Sequence, residues 1–234
     1  CLKFVYKVIF SNHIYMHITV KNLLNIENNI KINLEKLNIK NNPKIIAVSK
    51  TFKIDKILPL VEHGHLDFGE NKVQEAIDKW LKIKIEKPNL KLHMVGKLQS
   101  NKVKLAVKLF DYIHSVDSEK LAKKILEEQN KINRKIKIFL QVNIGDESQK
   151  SGLNKSHVPQ LVNHCKDLGL DIIGLMCIPP ININPEGYFE EMNKLNKSLG
   201  FSELSMGMSS DFLIAAKNHS SYVRVGAGIF GPRV

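Results

Sequence analysis

Short apolar runs alternate with stretches of helical spacing along almost the whole chain, and this alternation constrains the fold more than any other feature. The strand-like runs are Lys44–Lys50, His65–Gly69, Leu92–Gly96, Tyr112–Val116, Lys137–Ile144, Ile172–Ile178, Leu204–Met208 and Tyr222–Gly226. Helical periodicity covers 18–39, 53–63, 71–84, 98–109, 118–131, 155–168, 186–199 and 210–218. Local signals punctuate the pattern. Asp117 is placed to cap the helix after strand four, Gly169 to stop the helix after strand five, and Pro179-Pro180 to break strand six. Strict alternation calls for a parallel sheet, and eight units call for a closed (β/α)8 barrel. The alternative is a doubly wound open sheet. That fold usually carries a glycine-rich phosphate loop after its first strand, where this chain carries Lys50.

A chain of 234 residues with no composition break after residue 20 reads as one domain over 18–234. Residues 1–17 read as an extension of doubtful status. The chain opens on Cys1, and its first twenty residues are apolar and aromatic with scattered basic residues. They fit a degraded targeting segment or a start assigned too early, with Met16 a candidate start. The formal net charge is +12, which raises nucleic-acid binding as a reading. The excess is mostly lysine spread along the chain, and the arginines are only Arg134, Arg224 and Arg233. A nucleic-acid reader uses more arginine for bidentate contacts, so the charge is read as compositional bias and no nucleic-acid partner is expected. Three cysteines without a CxxC fit a reduced, cytoplasmic protein, with organellar targeting by the extension left open. No run has the length of a membrane span, so no membrane partner is expected.

In a barrel of this kind the site forms at the C-terminal ends of the strands. Lys50 ends strand one as its only cation there. Desolvation at such a position lowers the pKa of an ammonium and frees the amine to attack carbonyls, giving a Schiff base. A lysine that merely snorkels to solvent is the bland alternative. Asn71 follows strand two, Met176 lies in strand six, Ser205 and Gly207 end strand seven, and Arg224 and Gly226 end strand eight. The loops Ser205–Ser210 and Gly226–Gly228 fall where barrels bind phosphate, and their glycines let backbone N–H groups approach its oxygens. A helix starting near Ser210 is expected to point its positive end at the same place. A ligand with both an aldehyde and a phosphate answers both halves of such a site, and pyridoxal 5′-phosphate is the obvious one. Arg224 then faces the pyridine nitrogen as a permanent cation, or else it makes a structural ion pair.

The ordered segments Ala47–Thr51, Phe68–Glu75, His93–Lys102, His114–Asp117, Gln141–Ile144, Lys150–Gly152, Gly174–Pro179, Leu204–Ser209, Val223–Gly226 and Ile229–Gly231 resemble the YggS/PROSC family of pyridoxal phosphate homeostasis proteins. The resemblance runs over about 20–233. It implies a barrel like the N-terminal domain of alanine racemase, with pyridoxal phosphate held as a Schiff base on Lys50. Asn71 and Met176 would lie near the ring. Ser205, Gly207 and the Gly226 loop would hold the phosphate, and Arg224 would meet the ring nitrogen. The family usually has threonine after the glycine of the last loop. This chain has Ala227, which removes one hydroxyl donor, worth about 1.5–3 kcal/mol where no water replaces it. Cys177 stands where the family often has alanine, a mild change.

The resemblance implies intracellular buffering and delivery of the cofactor, with apo forms of pyridoxal-phosphate enzymes as recipients and no robust turnover. The sequence ends at Val234, shortly after strand eight, so the second domain from which alanine racemase takes its opposing base is not expected. The enzymatic alternatives are a weak amino-acid racemase using Lys50 as base, with His93 or a water opposing it, and a Schiff-base aldolase without cofactor. The oligomeric expectation is a monomer or weak dimer.

Overall fold

The structure, a computed structural model, describes residues 16–40 and 42–232. Most of the N-terminal extension, residues 1–15, lies outside the described residues. Eight strands form one closed, all-parallel barrel in sequence order. They are β1 (Lys44–Val48), β2 (Asp67–Glu70), β3 (Lys91–Met94), β4 (Tyr112–Val116), β5 (Lys137–Val142), β6 (Ile172–Cys177), β7 (Glu203–Met208) and β8 (Tyr222–Val225). The ring closes where β8 pairs with β1, Ile46 opposite Arg224 and Ala47 opposite Val225. The expected (β/α)8 barrel is therefore the observed one.

Helices alternate with the strands: α1 (Ile18–Lys36), α2 (Ile54–Glu62), α3 (Val73–Glu86), α4 (Val103–Leu109), α5 (Glu119–Asn130), α6 (Val158–Asp167), α7 (Glu186–Ser198), α8 (Phe212–Lys217) and α9 (Ala227–Phe230). α1 shows how the pattern works. Leu23, Ile26, Ile30 and Leu34 recur at three- and four-residue spacing and are buried, while His17 caps the start by accepting from the Thr19 N–H. Because each strand is covered on both faces, it reads as a nearly continuous apolar run. Outward-facing residues meet the helices in one large core that includes Phe68, Trp80, Phe110 and Phe189. Ile46, Val48, Tyr112, Phe139, Met176 and Tyr222 form a separate cluster inside the barrel.

Differences from the sequence expectation are local. β2 starts at Asp67 because His65 is taken by the end of α2. There Gly64 adopts φ +93° and the His65 N–H returns to Leu60 O. The helix after β3 opens as a 3-10 turn, Ser100–Lys102, before α4. The helix expected from Ser210 is the six-residue α8, since Ser209–Asp211 form the turn out of β7. α9 was not anticipated. It is anchored by Asn22, whose Nδ2 donates to Ile229 O at 2.9 Å, and by Phe230 against Phe52 with ring centroids 5.0 Å apart.

Two glycines give opposite expectations. A Cβ on Gly174 would lie 1.7 Å from Glu203 O, inside the β6–β7 pairing, whereas a Cβ on Gly187 in α7 would meet nothing within 4 Å. Gly174→Ala should therefore lower stability by about 3 kcal/mol or more, or prevent folding. Gly187→Ala should raise it by roughly 0.5–1 kcal/mol. Denaturant unfolding of the two variants checks both signs.

Candidate functional site

The turn that carries Lys50 is clamped from outside the barrel. Ser49 Oγ donates to Glu70 Oε1 at 2.7 Å, and Glu70 is fully buried. The same oxygen accepts from Trp80 Nε1 at 3.0 Å and pairs with Lys79 Nζ at 2.9 Å. Lys79 also donates to Ser49 O at 2.8 Å and pairs with Glu75 at 2.8 Å. Because Ser49 is held on the outer side, the alternation of β1 sends the following side chain, Lys50, toward the barrel axis above Ile46 and Val48. Lys50 is half-buried. Thr51, next in the chain, has φ +68°, a costly conformation for a β-branched residue. Its N–H donates to Glu75 Oε1 at 2.6 Å, which helps hold it there. Such over-determined local strain is typical of functional turns.

The end of β8 lies beside β1. A Cβ on Gly226 would come 3.3 Å from Val48 O, so the Gly226 turn adjoins the strand that leads to Lys50. Ser209 Oγ accepts from the N–H groups of Gly226 at 3.3 Å and Gly228 at 3.2 Å, which gathers the loops after β7 and β8 into one donor-lined turn. Gly207, at φ +92°, packs directly on α8, where an added Cβ would lie 2.5 Å from Ala215 Cβ. Asp211 Oδ1 accepts from the Met208 N–H and fixes the loop. Ala227 opens α9 and is exposed.

Ser205 is placed differently from the other loop residues. It is fully buried inside the barrel, with Oγ 2.7 Å from Arg224 Nη1 and 2.9 Å from His114 Nδ1. Ser209 is the serine whose hydroxyl lies at the β7–β8 loops. A register shift in the β7–β8 pairing between Ser205 and Met208 separates the two environments. Arg224 is 5% exposed and also donates from Nη2 to Cys177 O at 2.9 Å. Burial holds this guanidinium below its ordinary pKa. Met176 is fully buried in the interior cluster and pairs in register with Ser205. The Cys177 thiol faces the outer core, and burial pushes its pKa up to about 12.

Asn71 follows β2, where its backbone closely approaches Gly96: a Cβ there would meet Asn71 O at 2.5 Å. Asn71 Oδ1 is buried without a hydrogen-bond partner among the described residues. Asn71, Gly96, Lys97, Gln99 and Lys102 border a groove of about 470 Å³ on this side of the mouth. His93, by contrast, is sealed inside the barrel between Asp67 and His114. Neither of its ring nitrogens is available as an opposing base at the mouth. Among the described residues no group of three or more His, Cys, Asp or Glu could hold a metal ion. No described helix is long and apolar enough to cross a membrane.

Sequence reasoning missed the Glu70–Lys79–Trp80 clamp, the importance of Ser209 and the His93–His114 pair. Strand alternation marks His93 and His114 as inward-facing central residues, so that signal was available. The clamp joins residues on different elements and left no local signature.

Glu75 yields a pH expectation. Burial would raise its carboxyl, but hydrogen bonds from Lys79 and the Thr51 N–H, with the Lys79 and Lys72 charges, bring it below its ordinary value of 4.5. A lowered folded pKa stabilises the fold above the ordinary value, and that contribution is lost as pH falls through the folded one. Glu75→Gln should be less stable than the parent by about 1 kcal/mol at neutral pH. The gap should close in acid, once pH has fallen through the lowered folded pKa and the parent carboxyl is protonated too. Urea unfolding of both proteins along a series from neutral to acid pH checks this.

Residues 22–234 match the family model described as alanine racemase, N-terminal domain. The pyridoxal phosphate homeostasis protein of Haemophilus influenzae is 34% identical over 229 residues, 90% of this chain and 97% of that protein. The human pyridoxal phosphate homeostasis protein is 36% identical over 211 residues, 82% of this chain and 77% of that protein. Among solved structures, PipY of Synechococcus elongatus PCC7942 with pyridoxal phosphate bound superposes with a TM-score of 0.72 at 34% identity, covering 86% of this chain and all of that one. With its closed barrel and matching motifs, this chain belongs to the alanine racemase N-terminal-domain family and, within it, to the pyridoxal phosphate homeostasis proteins.

Proposed function

We propose that this protein binds pyridoxal 5′-phosphate through a Schiff base on Lys50 and serves to buffer and deliver the cofactor inside the cell. The observation that carries the reading is the meeting of two unlike groups at adjacent strands of one barrel mouth. One is Lys50, half-buried in the turn after β1, two residues beyond the inward-facing Val48. The other is the donor-lined turn after β7 and β8, with the Arg224 cation beneath it. The donor set suits the group. The Ser209 oxygen accepts from the N–H groups of Gly226 and Gly228, which leaves its own O–H to donate to a phosphate, and the two N–H groups can turn to the phosphate only by exchanging that bond. Two of the five guanidinium N–H groups of Arg224 are accounted for by Ser205 and Cys177, which leaves donors for a ring nitrogen. The unanswered Asn71 Oδ1 adds an acceptor next to β2.

In this reading Lys50 supplies the amine for the covalent link, and the Glu70–Lys79–Glu75 clamp holds its turn in place. Gly207, Ser209 and the Gly226 loop hold the phosphate end, Gly207 by shaping the loop, while Ser205, expected there from the sequence, instead supports Arg224 at the ring end. Met176 packs beneath the ring. When bound, the cofactor supplies an aldehyde and an electron-withdrawing ring. A permanently charged arginine at the ring nitrogen keeps that nitrogen unprotonated and weakens the ring as an electron sink. That favours holding the cofactor over turning it over. The family names of the relatives and the cofactor bound to PipY support the same reading.

The test is titration of the purified protein with pyridoxal phosphate, followed by visible absorption and borohydride trapping, beside Lys50→Ala. A visible band that borohydride removes, and that Lys50→Ala lacks, is the expected result. No band at saturating cofactor would sink the proposal. Ala227→Thr restores a hydroxyl donor at the phosphate loop and should tighten binding about tenfold, read from the same titration.

A further inference from the structure

A continuous file of polar side chains crosses the interior of the barrel. Arg224 Nη1 lies 2.7 Å from Ser205 Oγ, and Ser205 Oγ lies 2.9 Å from His114 Nδ1. His114 Nε2 is 3.0 Å from His93 Nδ1, and His93 Nε2 is 3.0 Å from Asp67 Oδ1. Ser205, His114 and His93 are fully buried. Asp67 begins β2, at the end of the barrel opposite the mouth, beside a groove lined by Glu27, Lys44 and His65. The rings are fixed from the side: His93 stacks on Tyr112 with centroids 4.3 Å apart, and His114 on Phe139 at 4.4 Å.

The chemistry of the two ends sets the direction of every bond between them. A guanidinium only donates, and a carboxylate only accepts. Burial holds both imidazoles below their ordinary pKa, and the Arg224 charge adds to the effect at His114. Each ring is thus neutral, with one donor and one acceptor nitrogen. Only one arrangement then satisfies all four contacts. Arg224 donates to Ser205, the Ser205 hydroxyl to His114 Nδ1, His114 Nε2–H to His93 Nδ1, and His93 Nε2–H to Asp67. The file is not a proton conduit, because arginine does not surrender its proton. Nor is it a metal centre. It is an oriented line of dipoles joining a buried cation to a distant anion.

We propose that Asp67, His93, His114 and Ser205 are positioning residues, which hold the Arg224 guanidinium in one orientation at the cofactor site from the opposite end of the barrel. The part of this statement that concerns the cofactor rests on the function proposed above. The part that concerns bond direction does not, so the two can fail separately.

The first experiment uses the full chain without cofactor, labelled with 15N at histidine and observed by long-range 1H–15N correlation at neutral pH. His93→Asn and His114→Asn assign the signals. Both rings should be neutral Nε2–H tautomers, with scalar coupling between His114 Nε2 and His93 Nδ1 across the hydrogen bond. An Nδ1–H tautomer or an imidazolium at either residue would overturn the arrangement. The second experiment is cofactor titration of Ser205→Ala, Ser205→Thr and Asp67→Asn. Ser205→Ala should weaken pyridoxal phosphate binding about tenfold and Asp67→Asn about threefold, since each removes a charge-assisted or cooperative link. Both should shift the absorption maximum of the bound cofactor, while borohydride trapping on Lys50 stays complete at saturation. Ser205→Thr, which keeps the hydroxyl, should restore the parent spectrum. If Asp67→Asn leaves both affinity and absorption maximum at parent values, the positioning role is wrong. If the parent itself binds no cofactor, the role toward the cofactor falls with the proposed function, and the tautomers still decide the bond direction.

Discussion

A guanidinium buried in the wall of a closed barrel is the constraint to which the interior of this protein answers. Removing a cation from water is tolerated only where donors are matched and charge is balanced. Arg224 meets the first demand through Ser205 Oγ and Cys177 O, from the two preceding strands. The second is helped by the Asp211 charge, while the file of side chains that begins at Ser205 runs on to a more distant carboxylate, Asp67. Barrel interiors of this fold are ordinarily filled by branched apolar residues. Here Tyr112, Phe139 and Tyr222 share the space with two histidines, and their flat rings wall the polar file from the side.

The lysine side of the mouth is built by a different device. Glu70 and Glu75 both pair with Lys79, and between them they hold the Ser49 hydroxyl and the Thr51 N–H, on either side of Lys50. The clamp lies between the barrel and α3, outside the space the cofactor is proposed to enter. Positioning and chemistry are thus assigned to different residues. The lysine sits on a rigid turn that is supported from behind by residues on other elements. The two halves of the mouth come together only because β8 closes on β1, which makes barrel closure itself a requirement of the site.

Much of this was legible in the sequence, and the unread parts have physical causes. Strand and helix order follow from period-2 and period-3.6 patterning, which is local, so the barrel and the strand-end positions of Lys50 and Arg224 could be read directly. Strand boundaries moved where a turn borrowed a residue, as His65 was taken by the end of α2. Ser205 and Ser209 look equivalent in a Ser-x-Gly-x-Ser loop. The register shift in the β7–β8 pairing buries the first and leaves the second at the loop. The Asp67–His93–His114 file and the Glu70–Lys79 pair join residues on separate elements, and such pairings depend on inter-strand stagger and helix placement that no sequence window contains.

Closure of the barrel has a further consequence for how a protein of this shape meets other proteins. Every strand already has two neighbours, so the sheet presents no row of unpaired backbone groups along its side. Recognition by adding a strand, the commonest way for an extended segment to dock on a sheet, is closed to it. A protein that docks at the mouth must be recognised by side chains on the loops around it. Those loops can change without disturbing the wall that holds the lysine and the arginine. Contact with other proteins and the architecture of the barrel wall are therefore separable properties of the same surface.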